Sequence, residues 1–247
     1  MQNVKLLIEY DGTDYSGWQI QQNGRTVQGE IENGLETILG SKTALIGAGR
    51  TDRGVHALAQ SANFKIENSM PPDKIRSSLN GVLPRDIRIL NAMYVDDNFD
   101  SRRDASARQY LYKMVKRETA LDRLYALKVV KNLNYQEMDS AAELVRTKTD
   151  FNSFCKASSE TENRKCKISK SEWHDNGDFL YYTIRADRFL HHMVRSLVGT
   201  MIEIGRGKLN IDDLEGIFAE SDRRAAGPTA PAHGLYLERV FYPNINN

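Results

Sequence analysis

The chain has 247 residues, with 34 Lys and Arg against 33 Asp and Glu and a formal net charge of +1. That balance excludes a protein that grips nucleic acid through bulk positive charge, and 40% hydrophobic with 9% aromatic residues excludes a disordered acidic chain. The length allows one large domain or two medium ones, and either can bury a core without a metal or disulfide staple. Val4–Asp11 alternates and predicts a strand, followed by a turn-rich Asp11–Ser16. Thr26 is an N-cap for a helix whose Val27, Ile31, Leu35 and Leu39 share one face. Ala44–Ile46 predicts a strand that runs into the Gly-rich segment Gly47–Gly54, and Ala57–Ile66 reads as extended. Pro71-Pro72-Asp73 opens a short helix ending near Asn80-Gly81, and Ile87–Val95 and Ala107–Val115 read as strands. Tyr135–Lys148 is a helix with Met138, Ala141, Ala142 and Val145 inward. Lys167–His174 and Phe179–Asp187 flank Asp175–Asp178, where Asn176-Gly177 signals a hairpin. Phe189–Ile204 and Ile211–Glu220 are helices, and Leu235–Tyr242 is a closing strand. The alternation predicts an α+β fold in which each half sets helices on one side of a mostly antiparallel sheet. The expected halves are 1–104 and 105–247, and no convincing residue-level repeat connects them.

Cys155 and Cys166 form no C-x-x-C pair and no zinc-type quartet. The apolar run in MQNVKLLIEYDG is too short for a signal peptide, and no stretch approaches the roughly 18–20 apolar residues of a membrane span. The expectation is a soluble protein of a reducing compartment, with free thiols and no membrane contact. The pair His191-His192 suggests a metal, but adjacent helical positions point about 100° apart and no H-E-x-x-H spacing is present, so no metal is expected.

Charge is unevenly spread. Residues 102–131 hold nine cations (Arg102, Arg103, Arg108, Lys113, Lys116, Arg117, Arg123, Lys128, Lys131) against Asp104, Glu118 and Asp122, a net of +6, so the remainder carries −5. Tyr110, Tyr112 and Tyr125 are interleaved with them, a pattern suited to phosphates and unpaired bases or, more plainly, to a solvated strand face. The expectation is a polarised surface, with a basic, tyrosine-lined groove and acids such as Asp96, Asp97, Asp212 and Asp213 outside.

The segment Gly47-Ala48-Gly49-Arg50-Thr51-Asp52-Arg53-Gly54-Val55-His56-Ala57 is the most informative. Its glycines permit positive φ and close backbone approach. It is neither a phosphate-binding P-loop nor a dinucleotide fingerprint, because no Gly-Lys-Ser/Thr follows and G-x-G-x-x-G does not fit. The plain alternative is a tight loop with a local ion pair between Asp52 and a flanking arginine.

The segment resembles the catalytic-aspartate motif of the TruA-type tRNA pseudouridine synthases. Further elements keep the family's order: Ile8–Thr13 with Gly17-Trp18-Gln19, Arg25–Gly29, Phe99–Arg102, Arg108–Tyr112, Asp150–Phe154, Phe189–Arg195 with Val198-Gly199, and Ala230–Leu237. Ser101 stands where Ala is common and Gln109 where Arg is frequent. The resemblance implies two related α/β halves sharing a mostly antiparallel sheet, with the catalytic cleft between them. It implies an isomerase that converts uridine to pseudouridine at positions 38–40 of the tRNA anticodon stem-loop, without a cofactor. Asp52 is then the nucleophile or ribose base, Arg195 its cation partner, Tyr110 the residue that stacks on the target base, and Arg50 a holder of the flipped nucleotide or its phosphate. A cytoplasmic homodimer with tRNA as partner is implied too. Read from the helix alone, Arg195 lies at the edge of an apolar arc, where it reaches a carboxylate or snorkels to water. Trp18 reads as a core residue or loop anchor rather than a base contact. Rivals are a synthase of the same family retargeted to ribosomal RNA, a catalytically silent RNA-binding protein and, more distantly, a metal-dependent phosphoesterase, for which the sequence lacks clustered Asp/His ligands.

Overall fold

The structure, a computed structural model, describes residues 1–67, 70–129, 133–156 and 163–243. The chain divides into two units, Met1–Ser106 with Tyr236–Asn247, and Ala107–Leu235.

In the first unit, β1 (Gln2–Tyr10) puts Val4, Leu6 and Ile8 on one buried face by strict alternation. Helix α1 (Val27–Leu39) starts where Thr26 Oγ1 accepts the Gly29 N–H, and it ends at Gly40 with φ +74°. Its face Val27, Ile31, Leu35 is fully buried, each side chain contributing about 1.5–3 kcal/mol. The short β2 is Ile46–Gly47, a step later than Ala44–Ile46. It pairs with β3 (His56–Ile66), which runs antiparallel to β1. Helix α2 (Pro72–Val82) packs on α1 through Gly34, and on β4 (Ile87–Val95), which flanks the other side of β1. The first part of the opposite face of β1, Asn3 and Lys5, is polar yet buried. Asn3 Nδ2 donates to the carbonyls of Asp96 (2.9 Å) and Phe99 (2.8 Å), and Asn63 Nδ2 donates to Asn3 Oδ1 (3.0 Å). Lys5, only 4% exposed, sets its ammonium 4.5 Å above the Tyr242 ring.

In the second unit, β5 (Ala107–Val115) pairs in parallel with the short β6 (Leu127–Lys128). Helix α3 (Tyr135–Thr147) is capped by Asn134 and buries Met138, Ala141, Ala142 and Val145 as predicted. Strands β7 (Ile168–Asn176) and β8 (Phe179–Ala186) form the predicted hairpin, with β8 between β5 and β7. Its turn is Gly177-Asp178, one residue later than Asn176-Gly177, because Gly177 supplies the positive φ of +63°. Helix α4 (Met193–Gly205) is nearly all buried, and α5 (Ile211–Glu220) opens with the Asn210/Asp213 capping box.

Two boundaries differ from expectation. Helix α4 begins at Met193 rather than Phe189, because His192 takes a left-handed conformation with φ +66°. His191 and His192 are therefore not helical, and their rings meet edge-on at 4.4 Å. The closing strand β9 (Leu235–Phe241) pairs in parallel with β3 through His56↔Tyr236 and Ala57↔Leu237. Most of it thus belongs with the first unit, not with 105–247. The described residues give an α+β fold with nine strands, mostly antiparallel, and five α-helices. No described helix is long and apolar enough to cross a membrane.

Burial lowers the Lys5 pKa from 10.5 to about 8. Between those values the unfolded chain binds more protons than the folded one, so this group's contribution to stability rises with pH. Urea unfolding of Lys5→Met should show an advantage over the wild type at pH 7 that narrows toward pH 10.5 by on the order of 2 kcal/mol. A gap independent of pH would contradict this.

Candidate active site

Asp52 lies on the loop between β2 and β3. The loop's first residues are tied to β3: Ala48 N–H donates to Ser61 O at 2.8 Å, and Gln60 Nε2 donates to Gly49 O at 2.9 Å. Its other side is gripped by the segment Tyr10–Trp18. Trp18 N–H donates to Thr51 O (3.1 Å), Gly54 N–H donates to Tyr15 O (3.3 Å), and the Tyr10 and Thr51 hydroxyls share a 2.7 Å hydrogen bond. Val55 N–H closes a turn on the Asp52 carbonyl at 3.2 Å. Glycine is required at two points of this grip. A Cβ on Gly12 would stand 2.0 Å from the Val55 oxygen, and one on Gly17 (φ +109°) would stand 2.7 Å from the Thr51 oxygen. Trp18 is 2% exposed and covers Gly47, so it anchors the loop.

Asp52 is half-buried, while Arg50 and Arg53 are exposed. Neither arginine has a hydrogen-bond or ion-pair partner among the described residues, so the local ion pair is not formed. Beside the loop, buried His56 stacks on Tyr236 at 4.8 Å and accepts the Gly12 N–H at Nδ1 (3.1 Å), which requires that nitrogen to be unprotonated. Asp11 Oδ1, 3.1 Å from the same nitrogen, gains a bond there whenever Nδ1 carries a proton.

Tyr110 and Arg195 belong to the second unit. Tyr110 and Tyr112 share the buried face of β5, with Leu111 turned away, as alternation predicts. Tyr110 meets the Phe189 ring edge-on at 5.0 Å. Tyr112 donates to Pro231 O at 2.9 Å, and burial raises its pKa well above the ordinary tyrosine range, against the opposing charge of Arg195. Arg195, half-buried in the first turn of α4, donates from Nε to Ala230 O at 2.7 Å and accepts the Ala230 N–H at its own carbonyl, 3.0 Å. It is fastened to protein rather than snorkelling. One turn on, Gly199 admits the Pro228 carbonyl, where a Cβ would stand 1.7 Å from the oxygen. Burial lowers the pKa of His233, with the Arg195 charge acting in the same direction and a bond to the Ala126 backbone opposing. Sequence reasoning named neither Tyr10 and Thr51 as a pair nor Ala230 as an acceptor for Arg195. All three lie inside the quoted motifs, but an acceptor that is a backbone carbonyl leaves no residue-type signal.

Part of the basic stretch 102–131 is paired within the protein. Lys116 pairs with Asp175 and Arg117 with Asp178, both at 2.6 Å, so the tip of the β7–β8 hairpin neutralises this part of the stretch. Lys113 pairs with Asp122 at 2.9 Å and Lys128 with Glu118. Lys131 lies outside the described residues. Asp96, Asp97, Asp212 and Asp213 are exposed as expected.

Fold and loop together define an α+β protein built around a carboxylate that bare guanidinium groups flank. The sequence profile of the tRNA pseudouridine synthase family matches residues 6–104 and 141–243, which include Arg50, Asp52 and Arg195, while Tyr110 falls between the two ranges. Relatives named tRNA pseudouridine synthase A are 40% identical in Bacteroides fragilis (98% of this chain, 97% of the relative), Brachyspira hyodysenteriae (98% and 99%) and Clostridium botulinum (98% and 100%). The chain belongs to the tRNA pseudouridine synthase family.

The two departures from the family pattern have local explanations. Gln109 Oε1 accepts from Arg185 Nε at 2.7 Å, across a directly opposed β5–β8 pair. Ser101 is fully buried, its N–H held by Asn63 Oδ1 (2.8 Å) and its carbonyl by the Tyr242 hydroxyl (2.7 Å). Its own hydroxyl has no partner among the described residues. An unsatisfied buried hydroxyl is destabilising, so Ser101→Ala should raise unfolding free energy by about 1 kcal/mol, read as a higher urea midpoint at unchanged slope. A lower midpoint would contradict this.

Proposed function

We propose that the protein is a tRNA pseudouridine synthase, an isomerase acting on uridines in the anticodon stem-loop, at positions 38–40. The observation that supports this best is the Asp52 loop. The backbone at half-buried Asp52 is held by hydrogen bonds on both sides, while Arg50 and Arg53 stand exposed beside it and without partners among the described residues. The reaction breaks the uracil N1–C1′ bond and forms C5–C1′, the C5 proton leaving and N1 gaining one, so the atoms balance without a cofactor. Asp52 serves as nucleophile at C1′ or as base at the ribose. A target base stacked in a stem must be flipped out before its glycosidic bond is accessible. Arg50 holds the flipped nucleotide or its phosphate, and Tyr110 stacks on the base. Arg195 is the cation that keeps the carboxylate ionised, and its Nε bond to Ala230 fixes the guanidinium plane for that task. A cytoplasmic homodimer is the assembly the family resemblance favours.

Asp52→Ala should abolish pseudouridine formation in unmodified tRNA while leaving tRNA binding within about threefold, and Arg195→Met should lose activity while staying folded. Mapping of modified positions checks both and also separates the rivals. Pseudouridine in ribosomal RNA alone would mean a retargeted enzyme, and none in any RNA a silent binder. Undiminished product with Asp52→Ala would remove Asp52 from its role.

Arg50→Ala should lower the salt dependence of tRNA binding by about one phosphate contact, whereas the already paired Lys116 and Arg117 should contribute less when both are replaced by Ala. Filter binding across a salt series decides it, and a larger loss from the Lys116/Arg117 pair would return the RNA to the basic stretch.

A further inference from the structure

The geometry points to Tyr10 as a positioning residue for Asp52, acting through the hydroxyl of Thr51. The inference rests on the role proposed for Asp52. Thr51 immediately precedes the carboxylate residue, is 7% exposed, and is held at two atoms. Its carbonyl accepts the Trp18 N–H, and its Oγ1 lies 2.7 Å from Tyr10 Oη. Tyr10 is the last residue of β1, is 3% exposed, pairs with Ala57 across the strand that leaves the loop, and sets its ring 6.0 Å from that of Trp18.

Thr51 is β-branched, so fixing Oγ1 selects one of few χ1 states. Fixing its carbonyl at the same time orients the peptide that joins it to Asp52. On the far side, the Asp52 carbonyl is held by Val55 N–H. The direction of the Asp52 Cα–Cβ bond is therefore set from both sides, and only the side-chain torsions remain to adjust. The phenol has no role at the reacting atoms in this account. Its effect is on the aim of the carboxylate, where a misplacement of about 1 Å costs on the order of 10²-fold in rate. Loss of aim lowers kcat without weakening the grip on tRNA.

Tyr10→Phe keeps the ring and deletes one oxygen. At saturating tRNA its kcat for pseudouridine formation should fall at least about 10-fold, with KM and tRNA affinity within about twofold of wild type. Thr51→Val should reproduce this split, and Thr51→Ser, which keeps the hydroxyl, should restore most of kcat. The double variant Tyr10→Phe/Thr51→Val should be no slower than the slower single, because both break the same bond. Wild-type kcat in a folded Tyr10→Phe would overturn the inference, and so would a Thr51→Ser as slow as Thr51→Val. Asp52→Ala is run alongside. If it retains product, the reading of Asp52 fails and the inference with it; if it is dead while Tyr10→Phe is normal, only the positioning role of Tyr10 falls.

Discussion

The first unit depends on a close approach of two backbones that only glycine allows. Gly12 lies against the Val55 carbonyl and Gly17 against the Thr51 carbonyl, so the segment leaving β1 lies directly on the Asp52 loop. Without that approach the loop's polar groups would have to turn to water. With it, Thr51 O, Gly54 N–H and the Thr51 hydroxyl are satisfied by protein within 3.3 Å. A loop of this kind is stiff for a specific reason. Its hydrogen bonds run to a strand and to a segment that the strand carries, rather than to solvent.

The second unit uses the same device at its own arginine. Gly199 admits the Pro228 carbonyl into the surface of α4, Gly227 N–H donates to Thr200 Oγ1 at 3.0 Å, and the segment so seated presents Ala230 to Arg195. In both units a side chain given a role in the proposed reaction stands close to a point where a missing Cβ lets a carbonyl in. The precision that proposed catalysis needs thus comes from backbone contacts, which cannot rotate away as side chains do.

Much of this was legible in the sequence because periodicity reports burial directly. Val27, Ile31 and Leu35 on α1, the inward face of α3, and the Tyr110/Tyr112 alternation follow from repeat lengths of 3.6 and 2. The start of α4 was not legible, because a left-handed histidine breaks the helix without a glycine or proline to mark it. The partner of β9 was hidden too, since parallel pairing with β3 joins residues about 180 apart and leaves no local pattern. For the site, the glycine-rich motif located Asp52, but what grips it is mostly backbone amides and carbonyls, which every residue has.

Charge behaved in the opposite way: the residues were plain in the sequence and their meaning was not. A run of +6 is a fact about the chain, whereas a binding surface is a fact about space. The β7–β8 turn carries Asp175 and Asp178 back onto Lys116 and Arg117, which lie about 60 residues away in sequence. Ion pairs between partly exposed groups contribute little to stability, about 0–1 kcal/mol, yet these two carboxylates lower the net charge of the run from +6 to +4 and so weaken the field it presents. Arg50 and Arg53, in a segment unremarkable for charge, keep theirs uncancelled among the described residues. Among the described residues, the guanidinium groups beside Asp52 are thus left unpaired, while several cations of the basic run are paired with carboxylates.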